Sequence, residues 1–296
     1  MNSFTIRDME NLCGIRAHTL RAWEQRYGFL PPKRKPGNHR IYDAEDLKYL
    51  LRISYLYHKG HKISRIARLC SEDLCHLTHN ESARDRSGDF FVNRLMEASI
   101  DLDKEAFEKA LNNLILQMGF EKAACDILWK FLDQLGLFWL TGNVIPAQEH
   151  FASYLIIHKL MEAIEGLPSP VRKDRRILIF SPQEEFHEMP LLLTQYLLLA
   201  NGHPVIYFGK NTSISEIEYY TSRRSVTHLF FHLVTHLAKC DLNEYIQQLS
   251  EKFPSQKIVF SGPLTQKINS SFRNLTLLTS FEQMRKFGEL GEISEH

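Results

Sequence analysis

Cysteine is scarce in this 296-residue chain, and it is not arranged in pairs. Cys13, Cys70, Cys75, Cys125 and Cys240 are scattered, with no CxxC among them. This excludes a disulfide scaffold or a zinc finger and fits a reducing cytosol. Long apolar runs are missing too: no stretch approaches about 18 uninterrupted apolar residues, so no membrane span is expected. The first residues lack the apolar core of a signal peptide, so the expected location is cytoplasmic. Internal repeats and low-complexity tracts are also absent. A net charge of +1 looks like a lack of bias, but it is an average. Residues 1–70 hold fourteen basic and six acidic residues, a net of +8, and the remainder holds 22 basic and 29 acidic, a net of −7. A basic head on an acidic body favours polyanion binding by the head alone, the rival being a merely solvated basic face. The length suggests two or three domains. The 44% hydrophobic and 24% charged composition is that of a soluble globular protein.

The first forty-two residues carry the clearest punctuation. Ile6, Met9, Leu12 and Ile15 are spaced to face one core, and Gly14 permits a tight turn. Leu20 and Trp23 would bury a second helix, leaving Arg16, His18 and Arg21 to project, and Pro31 and Pro32 stop it. A basic loop follows, with Lys33, Arg34, Lys35, Gly37, Asn38, His39, Arg40 and Tyr42. Asp43 can cap a third helix striped with Leu47, Leu50, Leu51, Tyr55 and Leu56, and a short fourth helix is expected over 63–69. The pattern is a winged helix-turn-helix. Its helix cations have the geometry to read base edges. The wing would mostly neutralise phosphates, which sets register rather than sequence. Tyr42 is read either as a phosphate donor or as packing at the base of the wing.

The expected organisation is a DNA-binding head over 1–76, a polar linker at 77–88, a helical bundle over 89–167, a second linker at 168–176, a Rossmann-like domain over 177–288 and a tail at 289–296. In the bundle, 91–100, 104–118, 120–136 and 146–164 have apolar residues at three- and four-residue spacing. Beyond it, short apolar runs at 177–180, 205–208, 228–233, 258–260 and 276–278 alternate with helical patterns at 190–200, 213–223, 241–253 and 264–272. That alternation predicts a five-stranded parallel sheet in flavodoxin-like order. The fold class is therefore multi-domain, α and α/β.

Residues 4–69 resemble the N-terminal domain of the MerR family of transcription regulators. The resemblance lies in Thr19-Leu-Arg-Ala-Trp-Glu24, Leu30-Pro-Pro32 and Arg40-Ile-Tyr-Asp-Ala-Glu-Asp-Leu47. It implies double-stranded DNA as partner, contacted by Arg16, His18, Thr19, Arg21, Lys33, Arg34, Lys35, Asn38, His39, Arg40 and Tyr42. It also implies a homodimer or higher oligomer that places two recognition helices on two half-sites. The ending Trp23-Glu-Gln-Arg-Tyr-Gly28 is similar to the branch containing the light-sensing cobalamin repressors.

Two further stretches point to that branch. Trp139 is followed after nine residues by Glu149-His150, similar to that branch's helical cap, where such residues lie over the upper face of the corrin. Glu185-Phe-His187 follows the first expected strand of the sheet domain and is similar to an acid-x-His motif. In that motif the histidine is the lower axial cobalt ligand and the acid orients it; imidazole suits cobalt, and a carboxylate on its other nitrogen fixes the tautomer. Ser261 and Gly262 stand where the family's Gly-Gly lets the cofactor's nucleotide tail slide along the strand end. Three positions depart from the pattern: Pro190 replaces a glycine, Ser261-Gly-Pro263 replaces Gly-Gly, and Leu140 stands where light-sensing members often carry a second histidine. The family's Ser-x-Leu has no clear match; His232-Leu-Val-Thr235 occupies that region. Ordinary readings remain beside these: Trp139 as core, and Glu149 and His150 as the polar start of a helix. The resemblance leaves open a regulator that senses cobalamin, with cobalt on His187, and one that has lost it and answers to a protein co-regulator or other ligand. A corrinoid methyl carrier is the alternative from another class, and the basic head speaks against it. No enzyme activity and no membrane partner is expected.

Overall fold

The structure, a computed structural model, describes residues 4–31, 33–34, 40–82, 88–140, 146–171, 174–234, 241–268 and 272–291. The chain divides into two units, Met1–Leu155 and Ile156–His296. Thr5 ends a two-residue strand, β1 (Phe4–Thr5), and caps α1 (Ile6–Cys13): its hydroxyl accepts from Asp8 N while the Asp8 carboxylate accepts from Thr5 N at 2.7 Å. This reciprocal capping box satisfies helix-end donors that would otherwise need water. Gly14, at φ 68°, turns the chain into α2 (Ala17–Tyr27). There a side chain would be strained, so a glycine was expected. β2 (Lys33–Arg34) and β3 (Arg40–Tyr42) form the wing, and β3 also pairs with β1, giving the sheet order β1-β3-β2. Asp43 caps α3 (Ala44–His58) through a second capping box with Asp46, as expected. α4 (Ile63–Ile66) is shorter than the predicted 63–69.

The stretch 77–88 was expected to be a linker, but it begins as helix. α5 runs Ser71–Ser82, with Glu72 and Asp73 in its first turn, where acidic residues suit the helix dipole. Leu74 is buried, and Thr78 is buried with its hydroxyl bonded to Leu74 O at 2.7 Å. Residues 83–87 lie outside the described residues.

Next come α6 (Asp89–Asp101), α7 (Lys104–Met118), the three-residue α8 (Phe120–Lys122), α9 (Trp129–Leu140) and α10 (Pro146–Glu165). The helix predicted over 120–136 is interrupted by a π-helical segment at Ala123–Leu128. Five of its six side chains are buried. That is more than one stripe of an α-helix accommodates, and the wider turn permits it. Phe107 meets Phe131 and Phe151, each at 5.9 Å between ring centroids, and fixes the middle of the bundle.

The head and the bundle as far as Leu155 fall within the first unit. Their seam is α3 against α6. Arg52 donates to both oxygens of Glu97 at 3.0 Å, and Lys48 donates to Asp101 at 2.9 Å. Asn93 donates to Leu51 O at 3.4 Å, and Tyr55 meets Phe90 at 6.0 Å. The i, i+4 pair Lys48/Arg52 faces the reverse i, i−4 pair Asp101/Glu97, so the helices run antiparallel. The bidentate Arg52–Glu97 contact is the stronger of the two ion pairs. A contact between residues 45 positions apart in sequence has no local signal.

The second unit contains a five-stranded parallel sheet in the order β5-β4-β6-β7-β8, the predicted flavodoxin-like order. Its strands and helices are β4 (Ile177–Pro182), α11 (Met189–Ala200), β5 (Val205–Thr212), α12 (Ile214–Thr221), β6 (His228–His232), α13 (Leu242–Lys252), β7 (Lys257–Ser261), β8 (Leu275–Leu278) and α14 (Phe281–Leu290). Leu178, Phe180, Leu229, Phe231, Ile258 and Phe260 form one face of the core with Ile246 and Leu249 of α13. On the other face, Phe230 stacks on Phe287 of α14 at 5.4 Å. The helix predicted over 264–272 is one 3-10 turn, Pro263–Lys267, closed by Thr265 Oγ1 donating to Gly262 O at 2.7 Å. Sequence reading missed α14, although Ser280 caps it and Phe281, Met284 and Phe287 recur every third residue. α14 ends at Leu290. Among the described residues, no helix is long and apolar enough to cross a membrane.

Candidate functional site

Two sites emerge, one in each unit. In the head, α2 buries Leu20 and Trp23 and turns its other face outward. Trp23 is held edge-on by Tyr57 at 4.9 Å and lies 6.1 Å from Phe29. His18, Arg21 and Gln25, at i, i+3 and i+7, are exposed on one side, and Thr19 is half-buried. Arg16 is 79% exposed and touches Glu10 only at 3.6 Å. This face offers donors in the arrangement expected of a recognition helix.

Two of the wing's described cations are paired within the head. Arg40 was expected to meet phosphate. Instead its Nε donates to Glu24 Oε2 at 2.9 Å, with the side chains only 23% and 17% exposed. Arg40 thus braces β3 against α2. Glu24, its partner, went unassigned in the sequence because the pairing spans sixteen positions. Lys33, also expected at phosphate, pairs with the helix-capping Asp43 at 2.5 Å. Tyr42 is buried, which pushes its hydroxyl pKa up; of its two readings, packing at the base of the wing is the observed one. Arg34 lies in β2, while Lys35, Asn38 and His39 lie outside the described residues.

The second site is the loop between β4 and α11. Glu185 is fully buried, at 0% exposure. Its Oε1 accepts from His187 N at 3.0 Å and lies 2.6 Å from His187 Nδ1. Its Oε2 accepts from Val234 N at 2.8 Å. The His187 side chain is 50% exposed. A carboxylate on Nδ1 fixes the ring so that Nε2 is the nitrogen to offer a metal. Glu184, in the left-handed region at φ 72°, donates its N–H to Asn211 at 3.1 Å. Glu188 accepts from Tyr207 at 3.2 Å and pairs with Lys210 at 2.7 Å. The loop is therefore held from both neighbouring strands. Asn211, Tyr207 and Lys210 were missed because these pairings are non-local.

The remaining expected cofactor residues behave differently. Ser261, 1% exposed, lies with its Oγ 2.8 Å from His232 Nδ1. Burial holds the His232 imidazole down at about 4, against the pull of Glu185. Gly262 sits at φ 112°, and a Cβ there would lie 2.3 Å from Leu233 O. Pro190 is buried at the start of α11, with its carbonyl accepting from Thr194 at 2.9 Å. Ser181 Oγ is buried without a hydrogen-bond partner. In the first unit, Glu149 accepts from Ser153 and lies 3.6 Å from the mostly exposed His150. Trp139 lies in α9, with its side chain outside the described residues, as is that of Leu140. The fit to a cobalt corrinoid is divided: Glu185–His187 suits a metal ligand, whereas the buried His232 and Ser261, bonded to each other, stand where the resemblance expects Gly-Gly and a Ser-x-Leu. Among the described residues, no three His, Cys, Asp or Glu side chains are grouped to hold a metal ion by themselves.

Comparison with known proteins matches two stretches of the chain to family models. Residues 4–73 match the MerR HTH family regulatory protein model, and residues 92–164 match a B12 binding domain. The HTH-type transcriptional repressor CarH of Myxococcus xanthus is 27% identical over 221 residues, 73% of each chain. The repressor CarA of the same organism is 30% identical over 225 residues, covering 72% of this chain and 70% of that one. The monomethylamine corrinoid protein of Methanosarcina barkeri superposes with a TM-score of 0.56 at 11% identity, covering 68% of this chain and 98% of that one, a likeness of fold. The curated relatives CarH and CarA are transcription regulators, not enzymes. With its recognition helix and its parallel sheet in place, the chain belongs to the family of MerR-type helix-turn-helix transcription regulators that carry a B12-binding domain.

Proposed function

We propose that this protein is a cytosolic DNA-binding repressor whose grip on an operator is set by residues 89–288. One observation carries the reading: α2 and its N-cap residue turn Arg16, His18 and Arg21 to solvent above a buried Leu20 and Trp23. Two copies place two such helices on two half-sites, and a ligand that changes their assembly changes DNA affinity by mass action. Phosphate affinity comes from the head's net charge of +8. His187, oriented by Glu185, would hold the cobalt of a corrinoid, whose binding would supply the signal.

A cofactor-free regulator that answers to a protein co-regulator is the second reading. The buried His232 and Ser261, where the resemblance expects a Ser-x-Leu and Gly-Gly, favour it. Fluorescence anisotropy tests the first reading, using a duplex enriched in vitro from a random pool, titrated with and without corrinoid in the dark. The expected outcome is salt-dependent binding whose affinity shifts with corrinoid. Binding blind to corrinoid favours the second reading, and no salt-sensitive binding to any duplex refutes both.

A further inference from the structure

α3 serves both the wing and the bundle. At its start, Asp43 caps the helix and pairs with Lys33 of β2 at 2.5 Å. Further along, Lys48 and Arg52 donate to Asp101 and Glu97 of α6. Lys48 and Glu97 are buried, and each has a second ionic partner: Glu45 lies 2.7 Å from Lys48, and Arg94 lies 3.5 Å from Glu97. Withdrawing such charges from water is costly, so buried ion pairs add little net stability over apolar packing. What they supply here is one angle and one register between two helices, because any other leaves a buried charge without its partner. Neutral contacts hold the same register, from Asn93 to Leu51 O and between the rings of Tyr55 and Phe90. α6 is itself anchored in the bundle by the buried Phe91, Val92, Leu95 and Met96, and Gln148 of α10 donates to Ile100 O at 2.6 Å.

We propose that this seam fixes the attitude of the head on the bundle, so that Lys48 and Arg52 are positioning residues for DNA rather than phosphate ligands. The inference rests on the reading above, in which two copies present two recognition helices to two half-sites. A head held at one attitude offers its α2 at a set separation and rotation from that of the second copy. Binding the second half-site then costs little further ordering. A head free to swing accepts many half-site spacings and pays the ordering cost at each. The sign of a charge change separates positioning from plain electrostatics. Glu97 and Asp101 place negative charge beside the basic head. Neutralising them raises DNA affinity if only the net field matters, and lowers it if they set the attitude of the head.

The test uses the full-length protein and three duplexes in anisotropy titrations. The first is the duplex enriched from the random pool. The second has two base pairs inserted between its half-sites, which turns one about 70° from the other. The third carries one half-site alone. The wild type is expected to prefer the native spacing by at least about tenfold. The double variant Glu97→Gln with Asp101→Asn, which keeps side-chain volume, is expected to lose that preference and to bind the enriched duplex more weakly, while its affinity for the single half-site does not fall. A preference kept in a double variant with wild-type circular dichroism, or tighter binding of the enriched duplex, overturns the inference. A wild type indifferent to spacing, or an enriched duplex with only one half-site, also overturns it and leaves the DNA-binding regulator standing. No salt-sensitive binding of the wild type to any duplex overturns the regulator reading as well. Should the double variant fail to fold, Arg52→Gln carries the same expectation of a lost spacing preference, because Glu97 keeps Arg94 as its partner. An unchanged preference there overturns the inference.

Discussion

The outward face of α2 and the loop after β4 use ionisable groups in opposite ways. At the start of α2 and on its outer face, Arg16, His18 and Arg21 stay in water, where a cation can meet a polyanion and release the counterions condensed on it. In the loop, Glu185 is wholly withdrawn from water and spends both oxygens on His187 and Val234. One region keeps its charge available for a partner that brings its own; the other buries a charge to aim a neighbour. The wing lies between these cases: Arg40 and Lys33 look like phosphate ligands in the sequence, but ion pairs within the head hold them.

This contrast can be broken by experiment. The largest effect is expected at Arg21. Charge reversal, Arg21→Glu, should lower operator affinity by at least about hundredfold, or about 3 kcal/mol, in anisotropy titrations, with melting temperature unchanged. An unaltered affinity would remove α2 from the DNA interface. Next is pH. His232 is held at about 4 in the folded protein against an ordinary 6.5. The unfolded chain therefore binds more protons between those values. Stability is fully present above about 6.5 and falls by about 3 kcal/mol as pH drops through 4. Urea denaturation at pH 7 and pH 4.5 measures this, and His232→Asn should flatten the profile.

A smaller effect is expected at Arg40. Arg40→Ala leaves the mostly buried Glu24 unpaired and should cost about 2 kcal/mol of stability, read as a lower melting temperature. That separates it from Arg21, where binding is lost and stability kept. A full loss of DNA binding at unchanged melting temperature would return Arg40 to the interface. The smallest change is Ser181→Ala. It removes a buried hydroxyl with no partner and should be neutral or stabilising by about 1 kcal/mol. A clear destabilisation would mean that the hydroxyl is satisfied in solution.

Much of the fold was legible because its signals are local. The Asp43 cap, the Gly14 turn, the bundle's three- and four-residue spacing and the change to short β-rich runs after 176 each act within a few residues. The Glu185–His187 pair was legible for the same reason, since two residues of one loop meet wherever that loop goes. Long-range contacts were not legible. The Arg52–Glu97 seam, the Arg40–Glu24 brace and the clamp of Glu188 by Tyr207 and Lys210 join positions separated by sixteen to forty-five residues. The end of α5 was misread because a polar stretch can still be helical when Leu74 and Thr78 anchor it.

By itself, the sequence determined the class of each segment: a basic winged head, a helical bundle and a parallel sheet with an acid-x-His loop, because capping, period and loop chemistry are short-range. Only the tertiary structure decided which cations are paired within the head and which groups surround the buried Glu185 carboxylate. Solvation and pairing depend on groups that folding brings together from distant parts of the chain.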